Sequence, residues 1–239
     1  MKETLGCLRR ADQDFRMIEV GDRVAVGVSG GKDSLLLLYA LALYRKFCKV
    51  PYTLTAVTLT MGIEPFDLTG VRALCERLGV EFVVKETQIG RVLFEERKEK
   101  NPCALCAKMR RGALSELCAQ RGFNKVALGH HRDDAIETLV LSLLFEGRIH
   151  TFHPVTHLTR SGVTQIRPLV YLPEKHVIHM ARTLNLPVVK SPCPANGRTK
   201  RQEVKELLDQ LCKRYPNARE LMLSALQNEA QYALWGKAR

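Results

Sequence analysis

The sequence lacks any apolar segment long enough to cross a membrane. Its longest apolar run, Leu35–Leu43, is far shorter than the roughly 20 residues that a transmembrane helix needs. The first residues, Met1–Gly6, contain no apolar core of a signal peptide. We therefore expect a cytoplasmic protein without a membrane partner.

Internal repeats and linker-like stretches are also missing. The apolar fraction of 46% and the charged fraction of 26% are those of an ordinary globular protein, which excludes fibrous and disordered classes. A chain of 239 residues can form one large domain or one domain with an appendage. We predict a domain over residues 1–190 and a helical appendage, residues 191–239, packed on the same domain.

The eight cysteines do not form a zinc-finger pattern. One C-x-x-C pair is present, Cys103 and Cys106, but a second pair and a close H-x-x-x-H are missing. Without a secretory signal, a disulfide scaffold is not favoured either. The pair follows Pro102 and opens a predicted helix, whose dipole favours thiolates. Such a pair is typical of metal ligands or of a redox couple.

A third thiolate would have to come from a distant segment. Cys193 is the best candidate, because it lies between Pro192 and Pro194 in a stiff loop before a predicted helix. The remaining cysteines have no partners at ligand spacing, and core packing explains them more simply: Cys7, Cys48, Cys75, Cys118 and Cys212.

Short β-branched runs alternate with helical segments along the chain. The predicted strands are 23–28, 52–59, 81–85 and 125–128, and the predicted helices are 34–45, 68–78, 105–120 and 133–145. Such an alternation gives parallel strands with right-handed crossovers. We predict an α/β fold with a doubly wound, mainly parallel, Rossmann-like sheet. A hairpin (151–158 and 162–166) adds an antiparallel edge, and helices at 173–184, 199–214 and 218–234 follow.

A glycine-rich turn, Ser29–Ser34, separates the first predicted strand from the first predicted helix. Such a turn presents backbone N–H groups and a helix N-terminus to anions. It is not a Walker A loop, because Val26 stands at the first glycine position and Asp33 where Ser or Thr should hold magnesium. A plain capped turn explains the glycines and Ser34, but it does not explain Lys32 and Asp33. We therefore predict a phosphate site.

A second polar loop, His130–Asp134, follows the predicted strand at 125–128. Helix capping alone would explain either of its carboxylates. Beside a phosphate loop, however, the same residues would contact nucleotide or metal. We favour the functional interpretation and select Gly129, His130 and Asp133.

The turn matches the SGGxDS signature and so resembles the PP-loop ATP-pyrophosphatases, which cleave ATP between the α and β phosphates. The resemblance implies an adenine nucleotide alpha hydrolase-like fold with ATP and Mg²⁺ as cofactors. Lys32 and Asp33 would act on phosphate charge, with Asp33 as a Mg²⁺ ligand. The implied ATP and pyrophosphate contacts are Ser29, Gly30, Gly31, Lys32, Asp33, Ser34, Gly129, His130 and Asp133.

Several separate motifs together resemble the tRNA 2-thiocytidine synthetase (TtcA) family, and they extend over nearly the whole chain: Asp14–Ser34, Pro102–Gly112, Leu128–Thr138, Ile166–Leu169 and Pro192–Gln202. The resemblance implies a [4Fe-4S] cluster held by three cysteines, here Cys103, Cys106 and Cys193. The family's second site is often a C-x-x-C pair, but Asn196 stands at its last position here. Three ligands suit a cluster with one open iron better than tetrahedral zinc.

The same resemblance implies an ATP-dependent tRNA sulfurtransferase. The enzyme would adenylate a pyrimidine carbonyl, with C2 of an anticodon-loop cytidine as the first expectation, and then exchange oxygen for sulfur. The implied catalytic residues are Lys32, Asp33, Cys103, Cys106 and Cys193. The implied partners are tRNA and a sulfur donor such as a cysteine desulfurase. The resemblance is also compatible with a homodimer.

Lysine and arginine outnumber the acids by 37 to 25, which gives a net charge of +12. The excess lies in residues 91–111 and 190–214, which indicates either a polyanionic partner or a solvated basic face. With the resemblance, we assign RNA contacts to Arg110, Arg111, Arg198, Lys200 and Arg201.

Three other functions compete with this interpretation. A lysidine synthetase-like enzyme, or another PP-loop modifier, would use ATP but would not need the three cysteines. A non-catalytic RNA-binding protein with a structural metal would bind RNA without ATP turnover. A C-x-x-C oxidoreductase is disfavoured, because no thioredoxin-like strand precedes Cys103.

Overall fold

The computed structural model describes residues 1–63, 66–99, 102–189 and 200–228. In that part of the chain the strands are β1 (Arg23–Gly27), β2 (Thr53–Leu59), β3 (Glu81–Lys85), β4 (Lys125–Ala127), β5 (Val155–Leu158) and β6 (Val163–Ile166). The helices are α1 (Lys2–Phe15), α2 (Lys32–Tyr44), α3 (Thr69–Leu78), α4 (Ile89–Arg91, continued by a π-helical turn, Val92–Glu96), α5 (Pro102–Gln120), α6 (Arg132–Glu146), α7 (Glu174–Thr183), α8 (Lys200–Arg214) and α9 (Ala218–Gln227).

The strands form one sheet of six strands in the order β3-β2-β1-β4-β6-β5. Neighbouring strands are parallel except for β5, which pairs antiparallel with β6 at the edge. The predicted doubly wound sheet and its antiparallel edge are confirmed. Strand order reverses between β1 and β4, and such a switch point opens a crevice where ligands bind in open α/β sheets.

The chain separates into two compact units. Among the described residues, the first unit contains 1–131 and 153–189, and therefore all of the strands. The second unit contains 132–152 and 200–228. Its core is formed by Ile136 and Val140 of α6 with Val204 and Leu208 of α8. The domain boundary at residue 190 stays a prediction.

Most element bounds differ from the predictions by one to three residues. Among the element starts, the largest difference is at β5, which begins at Val155 rather than at Thr151, because Pro154 lacks the N–H group that a ladder needs. Helix α5 begins at Pro102, three residues before the predicted start at Leu105. Helices α1 and α4 were not predicted. The predicted end of the last helix, at Leu234, lies outside the described residues.

Helix α5 determines where the cysteine pair lies in the first unit. Its 19 residues correspond to a length of about 28 Å, and its buried residues are confined to its second half, between Leu114 and Cys118. As the crossover between the parallel strands β3 and β4, α5 runs antiparallel to them. Its first half therefore lies at the edge of the sheet where the parallel strands end.

None of the described helices is long and apolar enough to span a bilayer.

Candidate active site

The turn between β1 and α2 is folded around the Ser34 hydroxyl group. Ser34 Oγ accepts a hydrogen bond from the Ser29 N–H at 3.1 Å and donates one to the Gly31 carbonyl at 2.9 Å. It also lies 3.2 Å from Ser29 Oγ. The two serines therefore close the turn on itself, while their contact with pyrophosphate stays a prediction.

Gly30 allows the turn to adopt a left-handed conformation, with φ +78°. A Cβ atom at Gly30 would lie 2.9 Å from Phe66 Cζ and 3.2 Å from Val189 Cβ. The Val189 N–H donates a hydrogen bond to the Gly30 carbonyl at 3.0 Å. Gly31 is the N-cap residue of α2, so the N–H groups of the first helical turn, which have no partners within the helix, point toward the switch point.

The charged centre of the site consists of Lys32, Asp33, His131 and Glu174. Lys32 Nζ lies 3.0 Å from Asp33 Oδ1 and 3.1 Å from Glu174 Oε1. Burial alone would lower the pKa of Lys32, but the two carboxylates outweigh burial and hold that pKa above its ordinary value. Lys32 is therefore an ammonium ion at neutral pH, as a phosphate ligand must be.

Asp33 has the donor atoms that a divalent cation needs. Its Oδ2 accepts a hydrogen bond from Lys32 Nζ at 3.2 Å. Its Oδ1 is buried and lies close to Lys32 without hydrogen-bond geometry. A carboxylate oxygen in that state suits Mg²⁺, which prefers oxygen ligands. The side chain of Asp33 therefore fits the predicted Mg²⁺ role.

The loop after β4 contacts this centre through a residue that the sequence interpretation did not select. His131 Nε2 lies 3.5 Å from Asp33 Oδ1, and the side chain of His131 is buried. Gly129 packs its backbone on the first turn of α2, at Asp33. The structure thus brings Gly129 to the phosphate loop, while the nucleotide contacts of Gly129 and His130 stay predictions.

Asp133 lies in the second unit, where ion pairs surround it. Arg219 Nη1 lies 3.0 Å from Asp133 Oδ1, and Arg132 Nε lies 3.7 Å from Asp133 Oδ2. In the same unit Arg201 Nη1 pairs with Asp134 at 3.0 Å. These contacts give Asp133 a structural role within its unit. Its predicted contact with ATP is not tested by them.

The cysteine pair lies at the start of α5, with Cys103 in its first turn and Cys106 in the next. Cys103 is exposed and Cys106 is partly buried. Both lie within about 80° of the buried Leu114 around the helix axis, as does Arg110, so the three share the sheet-facing side of α5. Cys193 and Arg198 lie outside the described residues. No group of three metal ligands occurs among the residues that the structure describes.

Cations gather near the first half of α5. Arg110 and Arg111 are exposed, and neither has an ion pair with any described residue. Arg167, just after β6, is buried and donates hydrogen bonds to the His153 carbonyl and to Thr156 Oγ1. Burial, with a smaller effect from the nearby charge of Arg111, lowers the pKa of Arg167 to about 10. The predicted RNA residue Lys200 lies in the second unit, paired with Glu203.

Known proteins are similar to this chain in sequence. The sequence pattern of the PP-loop domain matches residues 8–211. The tRNA-cytidine(32) 2-sulfurtransferase of Geobacter metallireducens is 40% identical over 222 residues, which is 92% of this chain and 86% of the relative. This chain belongs to the TtcA-like branch of the PP-loop family. The Geobacter sulfurreducens protein of the same name is 37% identical over 230 residues, or 95% of this chain and 90% of the relative.

Two solved structures are similar to this chain. The U34-tRNA thiolase NcsA from Methanococcus maripaludis, solved with its [4Fe-4S] cluster, aligns with a TM-score of 0.78 at 27% identity, covering 100% of this chain and 80% of the thiolase. The NH3-dependent NAD synthetase from Campylobacter jejuni aligns with a TM-score of 0.51 at 18% identity, covering 100% of this chain and 97% of the synthetase. The second likeness concerns the fold alone. The predicted fold and family are thus confirmed.

Proposed function

We propose that this TtcA-like chain is an ATP-dependent tRNA sulfurtransferase that converts a cytidine of tRNA to 2-thiocytidine. The observation that carries the proposal is a phosphate loop and a thiol pair at the same edge of one sheet. Relatives of 37–40% identity over nearly the whole chain are named for this reaction at cytidine 32. The same nucleotide is therefore the substrate that we propose.

The first step is activation of the cytidine carbonyl. Its oxygen attacks the α-phosphorus of ATP, the bond between that phosphorus and the bridging oxygen breaks, and pyrophosphate leaves with the electron pair. The N–H groups at the start of α2 and the ammonium of Lys32 stabilise the charge that grows on the leaving pyrophosphate. Asp33 would hold Mg²⁺, which supplies further charge neutralisation when it is bound.

The second step is replacement of the activated oxygen. A sulfur nucleophile attacks C2, and AMP leaves with the original oxygen. We propose that Cys103, Cys106 and Cys193 hold a [4Fe-4S] cluster, which when bound supplies sulfide at the iron that no cysteine ligates. Two thiols on adjacent turns of α5 fit such soft-ligand chemistry. The likeness to a thiolase that is solved with its [4Fe-4S] cluster supports the assignment.

The RNA side of the proposal depends on exposed cations. Arg110 and Arg111 lie on the same half of α5 as the thiols, where they can contact phosphates of a tRNA. Arg198, Lys200 and Arg201 are proposed for the same role. A cysteine desulfurase as the sulfur donor, a homodimer and a cytoplasmic location complete the proposal.

Two measurements test the proposed function against its rivals. The first is the iron and sulfide content of the anaerobically purified chain, where about four irons per chain are expected for a [4Fe-4S] cluster. The second is a mass-spectrometric comparison of tRNA nucleosides from cells with and without the gene, where 2-thiocytidine should be lost. A lysidine synthetase-like enzyme would contain no iron, and its loss would leave every thionucleoside in place.

A further inference from the structure

Glu174 connects a distant segment of the first unit to the phosphate loop. It lies in the first turn of α7, and its Oε1 is 3.1 Å from Lys32 Nζ. Its side chain is 16% exposed, about half the value for Lys32, at 30%. The contact is therefore shielded from water more than a surface ion pair is. Because water and salt screen it less, it holds the two side chains in place more strongly.

The backbone that presents Glu174 is rigid. The segment between β6 and α7 is fixed by a hydrogen bond from the Leu172 N–H to the Leu169 carbonyl at 2.8 Å, and both side chains are fully buried. Pro173 is the N-cap residue of α7, with φ −65°, so this backbone has little freedom before the helix begins. The helix dipole stabilises a carboxylate in the first turn. The carboxylate of Glu174 is thus presented to the loop from a well-packed segment.

Lys32 needs such a partner because, among the residues that the structure describes, its other carboxylate neighbour is the next residue in the chain. Asp33 Oδ1 and Oδ2 lie 3.0 and 3.2 Å from Lys32 Nζ, and Asp33 alone would draw the flexible side chain onto itself. Glu174 contacts the same nitrogen from α7. An ammonium has three N–H donors, so two carboxylates leave one donor for a phosphate oxygen.

We infer that Glu174 is a positioning residue, which holds Lys32 Nζ between two carboxylates in the place where a phosphate group of ATP arrives. The inference rests on the proposed function, because it assumes that Lys32 binds ATP phosphate. A carboxylate repels the phosphates of ATP, so Glu174 would act through Lys32 rather than as a ligand of the nucleotide. Its effect on ATP binding therefore passes through Lys32 and should vanish when Lys32 is removed.

A double-mutant cycle tests this dependence directly. Calorimetry would measure the affinity of the full chain for α,β-methylene-ATP, in which the bond that the enzyme cleaves is blocked. We expect Glu174→Gln to weaken binding about tenfold, as expected for loss of a charged hydrogen-bond partner. In a chain that carries Lys32→Met, adding Glu174→Gln should cause no further loss. Glu3→Gln is the matched control, because Glu3 is also in the first turn of a helix and pairs with His176.

The results that would contradict the role of Glu174 differ from those that would contradict the proposed function. Equal losses from Glu174→Gln with and without Lys32, tighter binding in both backgrounds, or unchanged binding would each overturn the inference about Glu174. Pyrophosphate release upon addition of tRNA, measured on the unsubstituted chain, tests the proposed function separately. A coupled effect on binding without pyrophosphate release would sink the proposed function and leave the role of Glu174 intact. A chain that binds no ATP analogue would overturn both.

Discussion

Gly129 and Asp33 are in backbone contact, although they belong to the loops after two different strands. A Cβ atom at Gly129 would lie 2.9 Å from the Asp33 carbonyl carbon and 3.0 Å from the Ser34 nitrogen. These are main-chain atoms of the first turn of α2, which cannot move aside as the end of a side chain could. The loops after β1 and β4 therefore pack directly on each other in the site. Only glycine at position 129 permits this close approach.

Substitution of Gly129 by alanine should displace the phosphate loop. We expect Gly129→Ala to weaken the binding of α,β-methylene-ATP at least about tenfold, because even small displacements of positioned groups are costly. Calorimetry measures this effect. Gly6→Ala is the control, because Gly6 is within α1 with nothing near its Cβ position, and there alanine should raise stability by up to about 1 kcal/mol. Unchanged nucleotide affinity in Gly129→Ala would contradict the role given to this contact.

The ion pairs of Asp133 predict a loss of stability. Asp133→Asn should lower the free energy of unfolding by about 2 kcal/mol, because the largely buried Arg219 loses the buried carboxylate at 3.0 Å and keeps the exposed carboxylate of Asp209 at 2.7 Å. Denaturant unfolding measures the change, and Glu203→Gln, at an exposed pair with Lys200, should have little effect. If Asp133→Asn lost nucleotide affinity at unchanged stability, the predicted ATP contact would stand instead.

The cysteines should differ in their reaction with an alkylating reagent. Burial raises the pKa of Cys75 and of Cys118 to about 11. At pH 8, three units below that pKa, roughly 0.1% of each would be the reactive thiolate, and this fraction rises with pH. Iodoacetamide at pH 8 should therefore label exposed Cys103 in cluster-free chain and spare Cys75 and Cys118, as read by peptide mass spectrometry. Equal labelling of all three would be inconsistent with the buried positions.

Arg111, one of the exposed arginines of α5, should affect tRNA binding through its charge. Arg111→Gln should weaken binding for all tRNA sequences alike and reduce the slope of log affinity against log salt by about 1. Arg201→Gln is the informative comparison, because Arg201 is proposed for the same RNA role but is also held by Asp134 at 3.0 Å, so its substitution should lower stability as well as the slope. Filter binding over a salt series measures both. A salt slope that is identical in Arg111→Gln and the unsubstituted chain would remove Arg111 from the RNA contacts.

Much of the fold could be predicted from local sequence patterns. The runs at β1 and β2 are β-branched and buried, and the Ser29–Ser34 turn stands between strand and helix. These short-range signals predict the order of the elements, and the handedness of crossovers then predicts the sheet. Helix α1 was not predicted, although its buried residues Thr4, Leu8 and Ala11 follow helical spacing. They are few and one of them is polar, so the buried face of α1 offers little apolar signal in the sequence.

The charged centre of the site was less accessible to sequence reasoning. Lys32 and Asp33 belong to a motif, whereas Glu174 looks like an ordinary acidic residue in the first turn of a helix. Only the packing of α7 beside α2 brings its carboxylate to Lys32. Likewise, the choice between His130 and His131 depends on the direction in which the loop after β4 turns. No pattern of spacing records that direction.

Thiolation of tRNA in vitro tests the central claim most directly. The anaerobically purified chain would be incubated with unmodified tRNA, sulfide and either ATP or α,β-methylene-ATP, and 2-thiocytidine would be measured by mass spectrometry. We expect the unsubstituted chain to form 2-thiocytidine in the reaction that contains ATP. We expect none in the reaction that contains the analogue, and none from Cys103→Ala. The account would be contradicted by 2-thiocytidine at equal yield without ATP, or by full activity of Cys103→Ala.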